Sequence, residues 1–164
     1  MNTRPDKFSS LMEKTPPSGI RKFFEMLIGH DDVISLSVGE PDFPTPWCIR
    51  EEAFYHLEKG HTSYTSNWGL IELREEISKY MSRYDLHYNP QDEILITVGA
   101  SEGVDAVLRA ILNPDDEILV CQPCYVNYTP LAELTQAKVI TIDTSVNGYY
   151  PTAEQIEKAC TPKT

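Results

Sequence analysis

The sequence predicts an α/β fold, with an N-terminal arm leading into the first part of a mostly parallel sheet flanked by helices. Three observations carry this. From Glu93 onward, short apolar runs alternate with amphipathic helical stretches of about 10 to 15 residues, the order that crossover units produce. Breakers such as Gly60 and Asn113-Pro114 punctuate the pattern. The 164 residues are 41% hydrophobic and include nine Tyr, five Phe and two Trp, which is enough to build a core and too much for a disordered chain. That length suits one domain or part of a larger one.

Taken in order, residues 1–17 are polar and Pro-containing and read as an arm. Ile20, Phe23, Phe24 and Leu27 fall on one face of a helix that Ser18 can cap and that ends near Gly29. A short strand is expected over Val33–Leu36. Residues 39–46 hold Pro41, Pro44 and Pro46 and must be an extended loop. The next helix takes Thr45 as N-cap, Pro46 at its first position, a stripe of Ile49, Ala53 and Leu57, and Gly60 as its stop. After a loop over 64–69, a helix carries Leu70, Leu73, Ile77, Tyr80, Met81 and Tyr84 on one side, with Arg74, Glu75, Glu76 and Lys79 mainly on the other. Strands are then expected over Glu93–Val98, Glu117–Cys121 and Lys138–Ile142. Helices are expected over Ser101–Leu112, Tyr125–Gln136 and Thr152–Cys160, the last with a Thr152/Gln155 capping box. Pro130 is tolerable only near the start of its helix.

Charge and composition exclude several functions. The net charge is −11 and no Lys/Arg cluster exists, so the attraction that drives nucleic-acid or anionic-membrane binding is missing. No apolar run approaches the roughly 18 residues of a membrane span, and the polar N-terminus lacks a signal-peptide core, which makes the cytoplasm the expected compartment. There Cys48, Cys121, Cys124 and Cys160 are expected to be reduced. His30, His56, His61 and His87 sit at no metal or triad spacing and read as solvent-facing, so no metal is expected.

In such sheets ligands bind in loops at the carboxyl ends of strands. Two loops qualify. Val98-Gly99-Ala100-Ser101-Glu102-Gly103 joins a strand to a helix; its small residues let a ligand approach the backbone, and the helix-start amides with the Ser101 hydroxyl make an anion site suited to phosphate. A tight turn favours the same small residues without any ligand. Neither the Gly-x-Gly-x-x-Gly nor the Walker pattern is present. The second loop is Cys121-Gln122-Pro123-Cys124-Tyr125. Its cysteine pair has no second pair for zinc, and a thioredoxin-like role competes with a structural one. Tyr125 at a strand end can stack on a planar ring or simply pack.

Four blocks in order, Ser35-Leu36-Ser37-Val38-Gly39-Glu40-Pro41-Asp42-Phe43, Tyr64-x4-Gly69-x3-Leu73-Arg74, Thr97-Val98-Gly99-Ala100-Ser101-Glu102-Gly103 and Gln122-Pro123-Cys124-Tyr125-x2-Tyr128, resemble the N-terminal portion of class I/II aminotransferases, which are fold-type-I enzymes dependent on pyridoxal 5′-phosphate. The resemblance implies a division into an arm and small-domain segment (1–45) and a truncated first part of the cofactor-binding large domain (46–164). It implies that Gly99, Ala100 and Ser101 form the phosphate turn and that Tyr125 stacks on the pyridine ring, where many relatives have Trp. Tyr64 matches the tyrosine that reaches the cofactor phosphate of the other subunit of a homodimer. Gly39 matches the glycine lying against the substrate carboxylate.

In the family a lysine forms a Schiff base with the cofactor and moves the substrate proton, and an arginine clamps the substrate carboxylate. None of the eight lysines present, Lys7, Lys14, Lys22, Lys59, Lys79, Lys138, Lys158 and Lys163, matches that motif, and the Asn-Pro-x-Gly block is absent. The expectation is therefore the front part of an enzyme that moves an amino group between an amino acid and a 2-oxo acid, inactive alone, with exposed edges that promote self-association. A lyase on the same scaffold, a non-catalytic binding or dimerisation module and a thioredoxin-like oxidoreductase are the alternatives.

Overall fold

The computed structural model describes residues 9–15, 17, 19–28, 34, 39 and 41–164. The chain divides into two compact units, one of residues 1–22 with 98–164 and one of residues 23–97.

The first unit contains a parallel pair of strands, β1 (Glu117–Gln122) and β2 (Lys138–Asp143), in register from Glu117↔Lys138 to Gln122↔Asp143. Parallel strands need a crossover. It is supplied by α6 (Tyr128–Leu134), which packs on both strands and buries Ala132 completely. Before them comes α5 (Gly99–Ile111), whose Leu108 joins Val120, Ala137 and Ile142 among the buried apolar residues. The unit closes with α7 (Ala153–Ala159), which starts at the expected capping box: Thr152 Oγ1 accepts from Gln155 N–H at 3.2 Å, and Gln155 Oε1 accepts from Thr152 N–H at 3.0 Å.

Helix α6 starts at Tyr128, later than the expected Tyr125, because residues 125–127 form a turn closed by Tyr128 N–H on Tyr125 O at 3.2 Å. Pro130 then falls in the first turn, where its missing donor costs nothing. The arm is not wholly irregular. A short α1 (Ser10–Lys14) forms behind Ser9, whose hydroxyl accepts from Met12 N–H at 3.3 Å. Helix α2 (Gly19–Leu27) follows as expected, while Ser18 lies outside the described residues.

In the second unit, α3 (Trp47–Glu58) begins after Pro46, so the cap is Pro46 with no side-chain bond, one residue later than the expected Thr45. Its stripe is not covered: Ile49 and Leu57 are about 60% exposed, at 58% and 63%. An amphipathic face is stabilised only by what packs on it, and no described residue of this unit buries this one. Helix α4 (Ile71–Ser82) reverses one expectation. Arg74, placed by periodicity on the solvent side, is 5% exposed, because its Nη1 donates to the carbonyls of Pro90 and Gln91. A guanidinium that satisfies two loop carbonyls is held in by those bonds.

The strand expected over Glu93–Val98 does not form among the described residues. Strands exist only as pairs, and the backbone bonds of this segment, Glu93 N–H to Asn89 O and Ile96 N–H to Trp68 O, both at 3.0 Å, go to loop residues and not to a neighbouring strand. The second of these bonds sits beside Gly69, whose φ is +93°; a Cβ there would come within 2.6 Å of Ile96 Cβ. The strand expected over 33–36 lies outside the described residues, except for Ile34, which is exposed.

Candidate active site

In the first unit the loop that follows β1 is hydrogen-bonded to the start of α5. Gln122 O, at the end of β1, accepts from both the amide (2.8 Å) and the hydroxyl (2.7 Å) of buried Thr144 just beyond β2. Two hydrogen bonds on one carbonyl fix the point where the loop bearing Tyr125 leaves the sheet. The Gln122–Pro123 peptide is cis.

At the start of α5, Gly99 has φ +80° and open space where a Cβ would stand, so only glycine takes this backbone without strain and a ligand can approach it closely. Helix geometry directs the Ala100 and Ser101 amides out of the helix start. Glu102, four residues after Val98, turns its carboxylate back onto the Val98 amide. That contact caps the residue before the helix and does not involve the Ala100 or Ser101 amides.

The two loops are joined by a residue that the sequence did not single out. Asn127 Nδ2 donates to Ser101 Oγ at 3.3 Å and to Tyr125 Oη at 3.2 Å. Asparagine is a favoured N-cap. Asn127 occupies that position of α6 and makes no side-chain cap bond, while its Nδ2 spans the two loops. In the sequence it falls inside the helix expected over Tyr125–Gln136, where nothing marks it as a bridge. Tyr125 is 51% exposed and forms a T-shaped pair with Tyr128, ring centroids 5.7 Å apart and planes at 80°.

Together, outward amides, a hydroxyl and a half-exposed aromatic suit a planar ring carrying an anion. No described lysine is hydrogen-bonded to Ser101, Tyr125 or Asn127. A hollow of about 250 Å³ lies alongside, lined by Val104, Leu108, Ile118–Cys121, Cys124 and Tyr128. It is apolar and excludes Ala100, Ser101 and Tyr125, so it is a gap beside β1 and not the anion site. Cys121 and Cys124 are free thiols on its wall. Since α6 begins four residues after Cys124, neither occupies the helix start that thioredoxin-type chemistry uses. Tyr64 and Gly39 belong to the second unit, where both are exposed, Tyr64 fully (106%).

Another juxtaposition unforeseen from spacing lies in the second unit, where His56 and His61 face each other with Nδ1 atoms 2.7 Å apart.

Residues 31–164 match the family described as aminotransferase class I and II. The chain is 47% identical over 158 residues to the protein of Bacillus subtilis (strain 168) named "Putative aminotransferase YugH", covering 95% of this chain and 41% of that protein. It is 36% identical over 158 residues to aromatic-amino-acid aminotransferase 2 of Thermococcus litoralis, with the same coverage of 95% and 41%. Among solved structures, the aspartate aminotransferase of Thermotoga maritima superposes with a TM-score of 0.86 at 35% identity, over 96% of this chain and 43% of that one. The chain thus spans about two fifths of the length of these relatives (41% of each of the two sequences), and by sequence and fold alike it belongs to the class I and II aminotransferase family.

Proposed function

We propose that the whole protein moves an amino group between an amino acid and a 2-oxo acid with pyridoxal 5′-phosphate, and that residues 46–164 contribute the phosphate end of its cofactor site. The observation that carries this reading is the Asn127 bridge, which holds the Ser101 hydroxyl and the Tyr125 ring at one end of the fold.

Each residue's task follows from its chemistry. The Ala100 and Ser101 amides and the Ser101 hydroxyl hold the phosphate at a helix start, close against Gly99. Tyr125 covers the ring and keeps water from one of its faces. Asn127 positions both. Bound there, the cofactor supplies an electron sink for the bonds at the substrate's α-carbon. Tyr64, fully exposed, suits a residue that reaches the phosphate of a second subunit in a homodimer. Gly39, in the segment assigned to the arm and small domain (1–45), lies against the substrate carboxylate. The enzyme works in the cytoplasm. With no lysine in the family's Schiff-base context, these 164 residues alone do not transaminate.

Parallel titrations with pyridoxamine 5′-phosphate and pyridoxamine test the reading, because these ligands need no Schiff base. The phosphate ester is expected to bind at least about tenfold tighter, the value of one charge-assisted contact. Equal affinities would reject the phosphate turn. Borohydride treatment with pyridoxal phosphate is expected to trap no single lysine stoichiometrically; such an adduct would overturn the claim of inactivity.

A further inference from the structure

Helix α3 ends in a backbone motif that brings two imidazoles together. Gly60, at φ +73°, stops the helix, and its N–H donates to Leu57 O at 3.0 Å while His61 N–H donates to His56 O at 3.0 Å. This pair of bonds is the Schellman arrangement, which sets the side chains three residues before and two after the cap against each other. Usually those side chains are apolar. Here they are His56 and His61, with Nδ1 atoms 2.7 Å apart and ring centroids 5.0 Å apart.

We propose that His56 and His61 form a two-imidazole site for a borderline divalent transition-metal ion of the nickel, zinc or copper type. The Glu52 carboxylate, 3.9 Å from His56 Nε2 and beyond hydrogen-bond length, adds a nearby negative charge that attracts a cation to the pair. With metal–nitrogen bonds of about 2.0 to 2.1 Å, two ligands at a tetrahedral angle stand about 3.3 Å apart, so the rings need only separate by about half an ångström. Both are exposed and free to do so. Among the described residues no third His, Cys, Asp or Glu joins them, so the other coordination positions belong to water and the ion exchanges readily. The site lies within the second unit and is independent of the cofactor reading.

The test is a nickel titration followed through the ring-proton resonances of the histidines. His87, paired with Asp85 at 3.3 Å and with no second imidazole on it among the described residues, serves as the single-imidazole comparison. Paramagnetic broadening is expected to strike His56 and His61 together, at a nickel concentration at least about tenfold below that needed for His87, because the second ligand binds intramolecularly. In His61→Gln the early broadening of His56 is expected to vanish while its unbroadened resonance still reports a folded chain. Broadening of His56 and His61 with no preference over His87, or early broadening of His56 that survives in His61→Gln, would overturn the proposal.

Discussion

Replacing Ser101 with Asp is expected to weaken pyridoxamine 5′-phosphate binding at least about a hundredfold while leaving the chain as stable as before, or slightly more so. The two readouts separate for a physical reason. Ser101 is the third residue of α5, where a carboxylate is favoured by the helix dipole. The new side chain can also accept the Asn127 amide that Ser101 now accepts. Toward a phosphate on the same turn, however, it presents a like charge. At about 4 Å and an effective dielectric near 20 the repulsion is about 4 kcal/mol, and partial exposure leaves about two thirds of that, about 3 kcal/mol. Binding by fluorescence titration and stability by urea unfolding check the pair of outcomes. A change in affinity below about threefold would place the anion elsewhere.

Gly69→Val is expected to destabilise the unit of residues 23–97 by about 3 kcal/mol or more. Two costs add. At φ +93° any side chain is strained, by about 1 to 3 kcal/mol. The new Cβ would also stand 2.6 Å from Ile96 Cβ, and overpacking of this kind costs about 1 to 3 kcal/mol, more for a branched side chain. Hydrogen exchange localises the damage. The Ile96 amide, bonded to Trp68 O, should lose its protection, while the Val120 and Ile140 amides of the parallel pair should keep theirs. Undiminished protection at Ile96 would show that the close approach is relieved in solution.

The elements that were legible in the sequence are those whose signals are local. Helix α7 carries its capping box within four residues, α5 is followed directly by Asn113-Pro114, and β1 and β2 are apolar runs bounded by polar turns. The strand expected at 93–98 failed because strand formation depends on a neighbour, and the apolar run cannot say whether one is present. Arg74 was misplaced because periodicity assigns a charge to the solvent side, whereas the carbonyls of Pro90 and Gln91 that hold it lie sixteen and seventeen residues away.

The site followed the same rule. Gly99 to Ser101 and Tyr125 stood out as a helix-start turn and a strand-end aromatic, both local patterns. Asn127 did not, since its partner Ser101 lies 26 positions earlier and no local pattern announces the contact. The His56–His61 pair escaped notice because a spacing of five becomes a contact only when Gly60 turns the chain back at the helix end.

The most direct test of the cofactor reading is a map of amide and side-chain shifts on adding pyridoxamine 5′-phosphate. The largest changes are expected at the Ala100 and Ser101 amides, the Asn127 side-chain amide and the Tyr125 ring protons. If those signals stay still while others move at saturation, the ligand binds elsewhere and the assignment of the phosphate turn and its aromatic cover is wrong.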